Sequence, residues 1–533
     1  MRKKHLFTLL ALSSIYLVSC KSGGKTGLLV PKDASVVIHI NASSLGSKLS
    51  WNDIKQTSFF RDAQTQGKDE LQKKLMDNPE ASGIDTKGDL VFFMKKQGRG
   101  SYGMCEGSIK DAAAFEAFAK SLGKGAAQKD GEWSYQTEGK DQLVMWNKSK
   151  FAVISNMPDM NSTSYTGEMS SYKETSSMPV DSLKMIIKSV MDLKGDDNLD
   201  SDNRFVSLIK QEGDAHFWMN LGQLTSSMNT PAMSMMKFGN MFEGSISAAT
   251  LNFDNGKIAI KAKHFYSGEL AKVMEKNSGK PITKDLVNRI PSNNVVAAMV
   301  ANCSPKGMED MMKVMGVDGM ANGFLGRYNL NLSDIIKAYE GKMVLAITDL
   351  QMKEKIIQLP GYGSVPGSSY TMTVPDYKLV FGMSVSDQTT FNKIIDVAKN
   401  EMHLGDNVSM KTTKDWFACS NNKEAADQFV GGATGNVPFA DKITGHPFGL
   451  YIDLQKISAL GGAFFGRGVK TDSASSTPNI WQDMIATGGE YSNGAMSVEY
   501  SINFLDKNTN SLKQLNKYFD ETYAAKKNKT SAY

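Results

Sequence analysis

Few residues of this chain stand at spacings that do chemistry. Asp196-Asp197-Asn198-Leu199-Asp200-Ser201-Asp202 sets oxygen side chains at alternate positions, as a calcium loop does. Its sixth position is Ser201, where the sharp turn needs glycine, and its twelfth is Ser207, where a bidentate glutamate would close the shell. A solvated acidic loop is therefore expected, and no metal is assigned. His5 lies in the N-terminal apolar leader, and His39, His216, His264, His403 and His446 fall at no metal-ligand spacing. Ser121-Leu122-Gly123-Lys124 and Ser170-Ser171-Tyr172-Lys173 have a lysine placed to activate a serine, but no partner motif follows, and Gly-x-Ser-x-Gly does not occur. Gly24-Lys25-Thr26 has the form of the end of a phosphate loop, yet Ser19 occupies the place of its first glycine. No catalytic residue, cofactor or metal ligand is assigned.

The residue whose setting does specify a reaction is Cys20. Arg2-Lys3-Lys4-His5 precedes an apolar run, Leu6 to Leu17, that is too short to cross a hydrocarbon core of ~30 Å as a helix. Leu17-Val18-Ser19-Cys20 then places a small residue before the cysteine and a leucine three before it. This resembles the bacterial lipoprotein signal. The resemblance implies that residues 1–19 are removed and that Cys20 is acylated on its sulfur and on its new amine, giving several chains that together hold a membrane stably. Lys21-Ser22-Gly23-Gly24-Lys25-Thr26-Gly27 reads as a flexible tether over 20–27. By resemblance to Gram-negative lipoproteins, Lys21 in place of aspartate implies the outer membrane. With no acidic cluster after Cys20, the periplasmic face is expected rather than the cell surface. The other cysteines, Cys105, Cys303 and Cys419, are odd in number and sit in short apolar segments, so they are expected as small buried hydrophobes rather than a disulfide framework.

The chain has 533 residues with 61 Lys and Arg against 56 Asp and Glu; setting aside Arg2, Lys3 and Lys4 leaves 58 basic residues and a net charge of +2. That balance, without a basic cluster in the body, gives no footprint for nucleic acid. The length after the signal exceeds what one ordinary core fills, so two or more domains are expected.

Two phrases return in the same order along the chain, and the elements that follow them return too. Val30-Pro31-Lys32-Asp33-Ala34-Ser35 feeding a strand to Asn41 is answered by Ile290-Pro291-Ser292-Asn293-Asn294 feeding a strand to Asn302. Gly88 to Met94 is answered by Gly341 to Ile347, and Ser108-Ile109-Lys110-Asp111 before a helix with Phe115 by Ser384-Val385-Ser386-Asp387 before a helix with Phe391. Phe151 to Asn156 pairs with Trp416 to Asn421, Phe217 to Leu224 with Leu450 to Ile457, and the hairpin signal Asn255-Gly256 with Asn493-Gly494. The expected fold is α+β: two tandem, similar, mostly antiparallel sheets, each with helices packed on one face, over 28–280 and 281–525, with a basic tail at 526–533. Each half is expected to close with a helix, Ser267 to Glu275 and Asn510 to Ala525.

Thirty-two methionines are concentrated around Met228 to Met241 and Met308 to Met320, an adaptable apolar composition that suits a binding face. Val30 to Asn41, with the Leu-Val-Ser-Cys signal and Trp51-Asn52-Asp53-Ile54, makes the chain similar to a family of Gram-negative envelope lipoproteins of unknown function. The resemblance implies an envelope lipoprotein and carries no catalytic position. The expected function is a lipid-anchored, non-enzymatic binding or scaffold protein whose partner is an unidentified protein or apolar ligand. The alternative is an envelope hydrolase with its site between the two domains.

Overall fold

Alternation of buried and exposed residues along short β-branched runs makes strands, and within each unit the described strand pairs are antiparallel. The computed structural model describes residues 25–66, 70–97, 100–122, 126–139, 141–157, 178–226, 241–359, 368–402, 408–432, 435–459 and 479–530. Cys20, the segment around Ser170, His403 and Met228 to Met236 lie outside them. The architecture is α+β with extensive antiparallel sheet, and the chain divides into two compact units, 1–268 with 509–533, and 269–508.

In the first unit the strands are β1 (Val36–Ile40), β2 (Leu90–Gln97), β3 (Gly100–Ser108), β4 (Gln128–Asp130), β5 (Trp133–Glu138), β6 (Gln142–Trp146), β7 (Lys150–Met157), β8 (Ala215–Asn220), β9 (Ile246–Asp254) and β10 (Lys257–Phe265). Their order is β4-β5-β6-β7-β3-β2-β1-β8-β9-β10. The second unit has β11 (Val295–Asn302), β12 (Tyr339–Leu359), β13 (Ser368–Val385), β14 (Ser409–Thr412), β15 (Trp416–Ser420), β16 (Phe448–Asp453), β17 (Trp481–Ser492) and β18 (Ala495–Phe504). Its order is β14-β15-β13-β12-β11-β16-β17-β18. From β6 to β10 the first list and the whole of the second have the same form. The hairpins β9–β10 and β17–β18 turn at Asn255-Gly256 and Asn493-Gly494; Gly256, Asn493 and Gly494 all have positive φ, the backbone such tight turns require.

In each unit helices pack on both faces of the strands, not on one as expected. On one face of the first unit, Leu183, Ile187 and Val190 of the helix Val180–Met191 and Phe205 of Asn203–Ile209 pack on Val37, Phe93, Met104, Ile154 and Trp218. On the other, Phe115 and Phe118 of Ala112–Leu122 pack on Leu90, Val144 and Phe151. The second unit does the same, with Phe429 of Lys423–Gly431 over Val344 and Val380, and Phe391 of Gln388–Met402 over Phe417 and Val385. The reason is in the strands: Leu143-Val144-Met145-Trp146 is buried throughout, so both faces need cover.

The pairing of Phe151 with Trp416 is one residue out of step. Ser108 pairs with Lys150 and Ser384 with Trp416, so Phe151 answers Phe417. The aromatic contacts agree, because Phe115 stacks on Phe151 at 5.2 Å and Phe391 meets Phe417 at 5.3 Å. A slip of one would send these rings to opposite faces. Asn156 and Asn421 therefore do not occupy one position, though each clamps a backbone segment with its amide, Asn156 at Met178 and Asn421 at Tyr377 and Leu379.

The closing helices also fall differently from their sequence positions. The helix Ser511–Thr530 belongs to the first unit, where Asp520 accepts from Ser58, Tyr523 and Lys527 reach Asp62, and Asn516 reaches the carbonyl of Asp53. Residues 526–530, expected as a tail, continue this helix. Residues 269–276 belong to the second unit, and Asn277, just after that helix, bonds Asp310. Deleting residues 509–533 should raise amide hydrogen exchange in the helix Ser58–Gln66 while β14 to β18 keep their protection. Equal loss in both units, read by exchange mass spectrometry, would contradict the assignment.

Candidate functional site

Because residues opposite each other in antiparallel strands share a face, the register lines up one row across the first unit: Ala152, Glu106, Val91, His39, His216, Thr250 and Lys261. It lies on the face of the main core, two residues from Ile154, Met104, Phe93, Val37, Trp218 and Ala248. Glu106, His39, His216 and Thr250 are all buried, so at this end the core becomes polar.

Glu106 is 7% exposed. One carboxylate oxygen accepts the Leu29 amide at 3.1 Å, and the other is buried with no hydrogen-bond partner among the described residues. Burial pushes its pKa up to about 7, against the smaller opposing effects of the Leu29 amide and the Lys150 ammonium. Beside it a cleft of about 440 Å³ is lined by Thr26, Gly27, Asn41, Asp85, Lys87, Asp89, Ser108 and Lys150, with Glu106 among them. Asp89 and Ser108 lie two residues from Val91 and Glu106 and so share their face.

Asp89 connects the cleft to the histidines. Its Oδ2 is 3.3 Å from His39 Nε2, His39 Nδ1 is 3.0 Å from His216 Nδ1, and His216 Nε2 is 3.0 Å from the Gln211 carbonyl. The carbonyl can only accept, which puts a proton on His216 Nε2, and neutral His216 then accepts at Nδ1 from His39 Nδ1–H. Burial, reinforced by the adjacent His39, lowers the pKa of His216 and keeps it neutral. His39 Nε2 is left facing Asp89, without a well-aligned partner.

A strap crosses this end of the sheet. The Thr26 amide and hydroxyl both donate to Asp200, Asn198 donates to the Leu28 carbonyl, and the Leu199 amide donates to Val30. Val30 and Leu28 are buried in the core. The segment expected as tether over 20–27 is thus bonded to the body from Lys25, whose ammonium donates to Asn203. The acidic loop supplies this anchorage: Asn198 and Asp200 are buried, Asp202 caps the helix Asn203–Ile209 and pairs with Arg204, and no metal-sized cluster of ligands occurs among the described residues.

At the same steps of its own strand order, the second unit has Ala418, Gly382, Val344, Val300, Gly449, Thr487 and Glu499. Where Glu106 stands in the first row, Gly382 stands in the second, and a Cβ there would lie 2.1 Å from the Phe429 ring. Where His216 stands, Gly449 is covered by Ile443, whose Cβ would be 2.6 Å from an added Cβ. The same backbone row is closed by apolar side chains in one unit and left polar in the other.

The remaining residues weighed in the sequence are scattered. Ser121 donates to the Phe118 carbonyl one turn back, His264 bonds Ser247, and His446 bonds Glu490. Cys105 and Cys419 are half-buried, but Cys303 is exposed, unlike the buried role expected for it. Met308, Met320 and Phe324 are exposed on the helices Pro305–Met315 and Asp318–Gly326, neither of which has a buried residue.

Glu106 sets a pH dependence whose sign follows from its raised pKa. A carboxyl moved from 4.5 to about 7 in the folded state adds stability that is complete below pH 4.5 and lost as pH rises through 7. Glu106→Gln removes that loss, so its stability relative to wild type should rise between pH 4 and pH 8 by up to roughly 3 kcal/mol. The titration of His216 is common to both proteins and drops out of the difference. Denaturant unfolding at the two pH values checks this; a constant difference would contradict it.

No curated protein matches the sequence. Among solved structures, crystal form I of TP0453 aligns with a TM-score of 0.25 and 12% identity over 46% of this chain and 80% of that one. Crystal form IV of the same protein gives 0.25 and 11% over 49% and 91%. The model of a domain of unknown function, DUF4836, matches residues 27–432, from the strap through the whole polar row of the first unit and into the second unit, and the chain belongs to that family.

Proposed function

We propose that this is a lipid-anchored protein of the bacterial envelope, built by tandem duplication of an α+β unit, that binds a ligand or partner through its first unit. The observation that carries the binding role is the contrast between the two rows. A fold that closes the position with Gly382 and Phe429 does not need a buried carboxylate there, and an unpaired buried polar group costs about 1–3 kcal/mol. A cost borne in one unit and avoided in the other points to a task outside folding. The duplication is supported by the common strand order, the paired hairpins, and the Phe115–Phe151 and Phe391–Phe417 contacts. The exposed Met308, Met320 and Phe324 offer a second, apolar surface for a protein partner.

The anchor rests on Arg2-Lys3-Lys4, the short apolar run and Leu17-Val18-Ser19-Cys20. Only Lys21 to Lys25 separate Cys20 from Thr26, and an extended chain spans at most ~3.6 Å per residue. Thr26 and Gly27 line the cleft, which an acylated Cys20 would hold within roughly 20 Å of the bilayer surface, on the periplasmic side of the outer membrane. Cys20→Ala should move the protein from the membrane pellet to the soluble fraction without changing its unfolding curve. Retention of the variant, with its signal removed, in the pellet in high salt would overturn the anchor, and digestion of the wild type by protease added to intact cells would overturn the periplasmic side.

A further inference from the structure

Resting on the reading of the cleft as a binding site, we propose that it receives a primary ammonium group, carried by a soluble amine or by an ethanolamine-type lipid headgroup, with Glu106 as its main counter-charge. Two observations on the cleft converge on a ligand that donates hydrogen bonds and carries positive charge. Glu106 brings a buried oxygen with no partner. Asp89 and Asp85 bring two further carboxylates to the wall. With three carboxylates on its wall, this corner has an excess of acceptors over donors. Lys87 and Lys150 oppose them from the rim, and Lys150 lies near enough to Glu106 to favour its charged form.

An ammonium suits this deficit because it supplies three donors and a compact positive charge. It would convert an unpaired buried carboxylate into a charge-assisted pair, the strong class of hydrogen bond. Burial that raises the Glu106 pKa toward neutrality is the signature of a carboxylate without its counter-ion, and a bound cation would bring it back down. The Leu29 amide, bonded to the other oxygen of Glu106, is a built-in reporter of that change.

The test uses the purified full chain labelled with nitrogen-15 at leucine, following the Leu29 amide resonance at pH 7. The probes are n-butylammonium, n-butyrate, and vesicles of phosphatidylethanolamine or of phosphatidylcholine. A saturable shift of Leu29 with n-butylammonium or with phosphatidylethanolamine, and not with phosphatidylcholine, is expected; which of the two acts identifies the source. Glu106→Gln, which keeps an acceptor for the Leu29 amide, should weaken the response at least tenfold, and Asp89→Asn should weaken it less. An unchanged response in Glu106→Gln overturns the assignment. A response to n-butyrate that Lys150→Gln abolishes would also overturn it while leaving the cleft a binding site, whereas silence to every probe would overturn this assignment and remove its support from the cleft.

Discussion

Cross-strand register is the constraint on which the rest of the first unit depends. Antiparallel pairing places Glu106, Val91, His39 and His216 on one face at one level of the sheet, and a shift of one residue in any strand would turn its member of the row to the other side. The apolar layer beneath fixes that register, because Met104, Phe93, Val37 and Trp218 on the same strands must meet the helices Val180–Met191 and Asn203–Ile209. Core packing therefore positions the polar groups although none of them contributes much to it.

Two of those groups, Glu106 and His39, are poorly satisfied by the fold itself. Asp214, also fully buried, shows what a satisfied carboxylate looks like in this unit, with Ser44, Lys48 and the Phe253 amide all donating to it. Glu106 has one donor for two oxygens, and His39 Nε2 has only a carboxylate nearby. In the second unit the problem does not arise, since glycine at 382 and 449 lets Phe429 and Ile443 sit directly on the strands. Two halves of one chain have solved the same backbone position in opposite ways, one by packing and the other by leaving acceptors beside a cleft.

The strap joins this site to the start of the folded body. Leu28 and Val30 are core residues, while Thr26 and Gly27 line the cleft and the Leu29 amide holds Glu106. A change in the charge of Glu106 therefore acts on the same backbone that leads toward Cys20. The C-terminal helix is tied down in the same unit by Asp520, Tyr523 and Lys527, so both ends of the described chain converge on the first unit.

Periodicity in the sequence was enough for the α+β class, for the Asn-Gly hairpins, and for the order of matched segments, because these follow from alternation and turn chemistry within ten or so residues. The pattern around Cys20 on which the proposed anchor rests is likewise wholly local. Helices on both faces could have been read from the unbroken apolar run Leu143 to Trp146, but which helix takes which face depends on contacts far apart in sequence. The off-by-one pairing of Phe151 arose because Ser-Asn recurs at the ends of both strands, and the strand pairing and the ring contacts fix the register. His39, His216 and Glu106 sit 177, 110 and 67 residues from one another in pairs, so no spacing motif could join them. One signal was present: in the matched columns of the repeat, a charged or imidazole side chain in one half stands against glycine or valine in the other. That these columns meet in a single buried row, beside a cleft and under a strap from the N-terminal segment, was decided by tertiary structure, because strand order in an antiparallel sheet brings distant residues opposite one another irrespective of their separation along the chain.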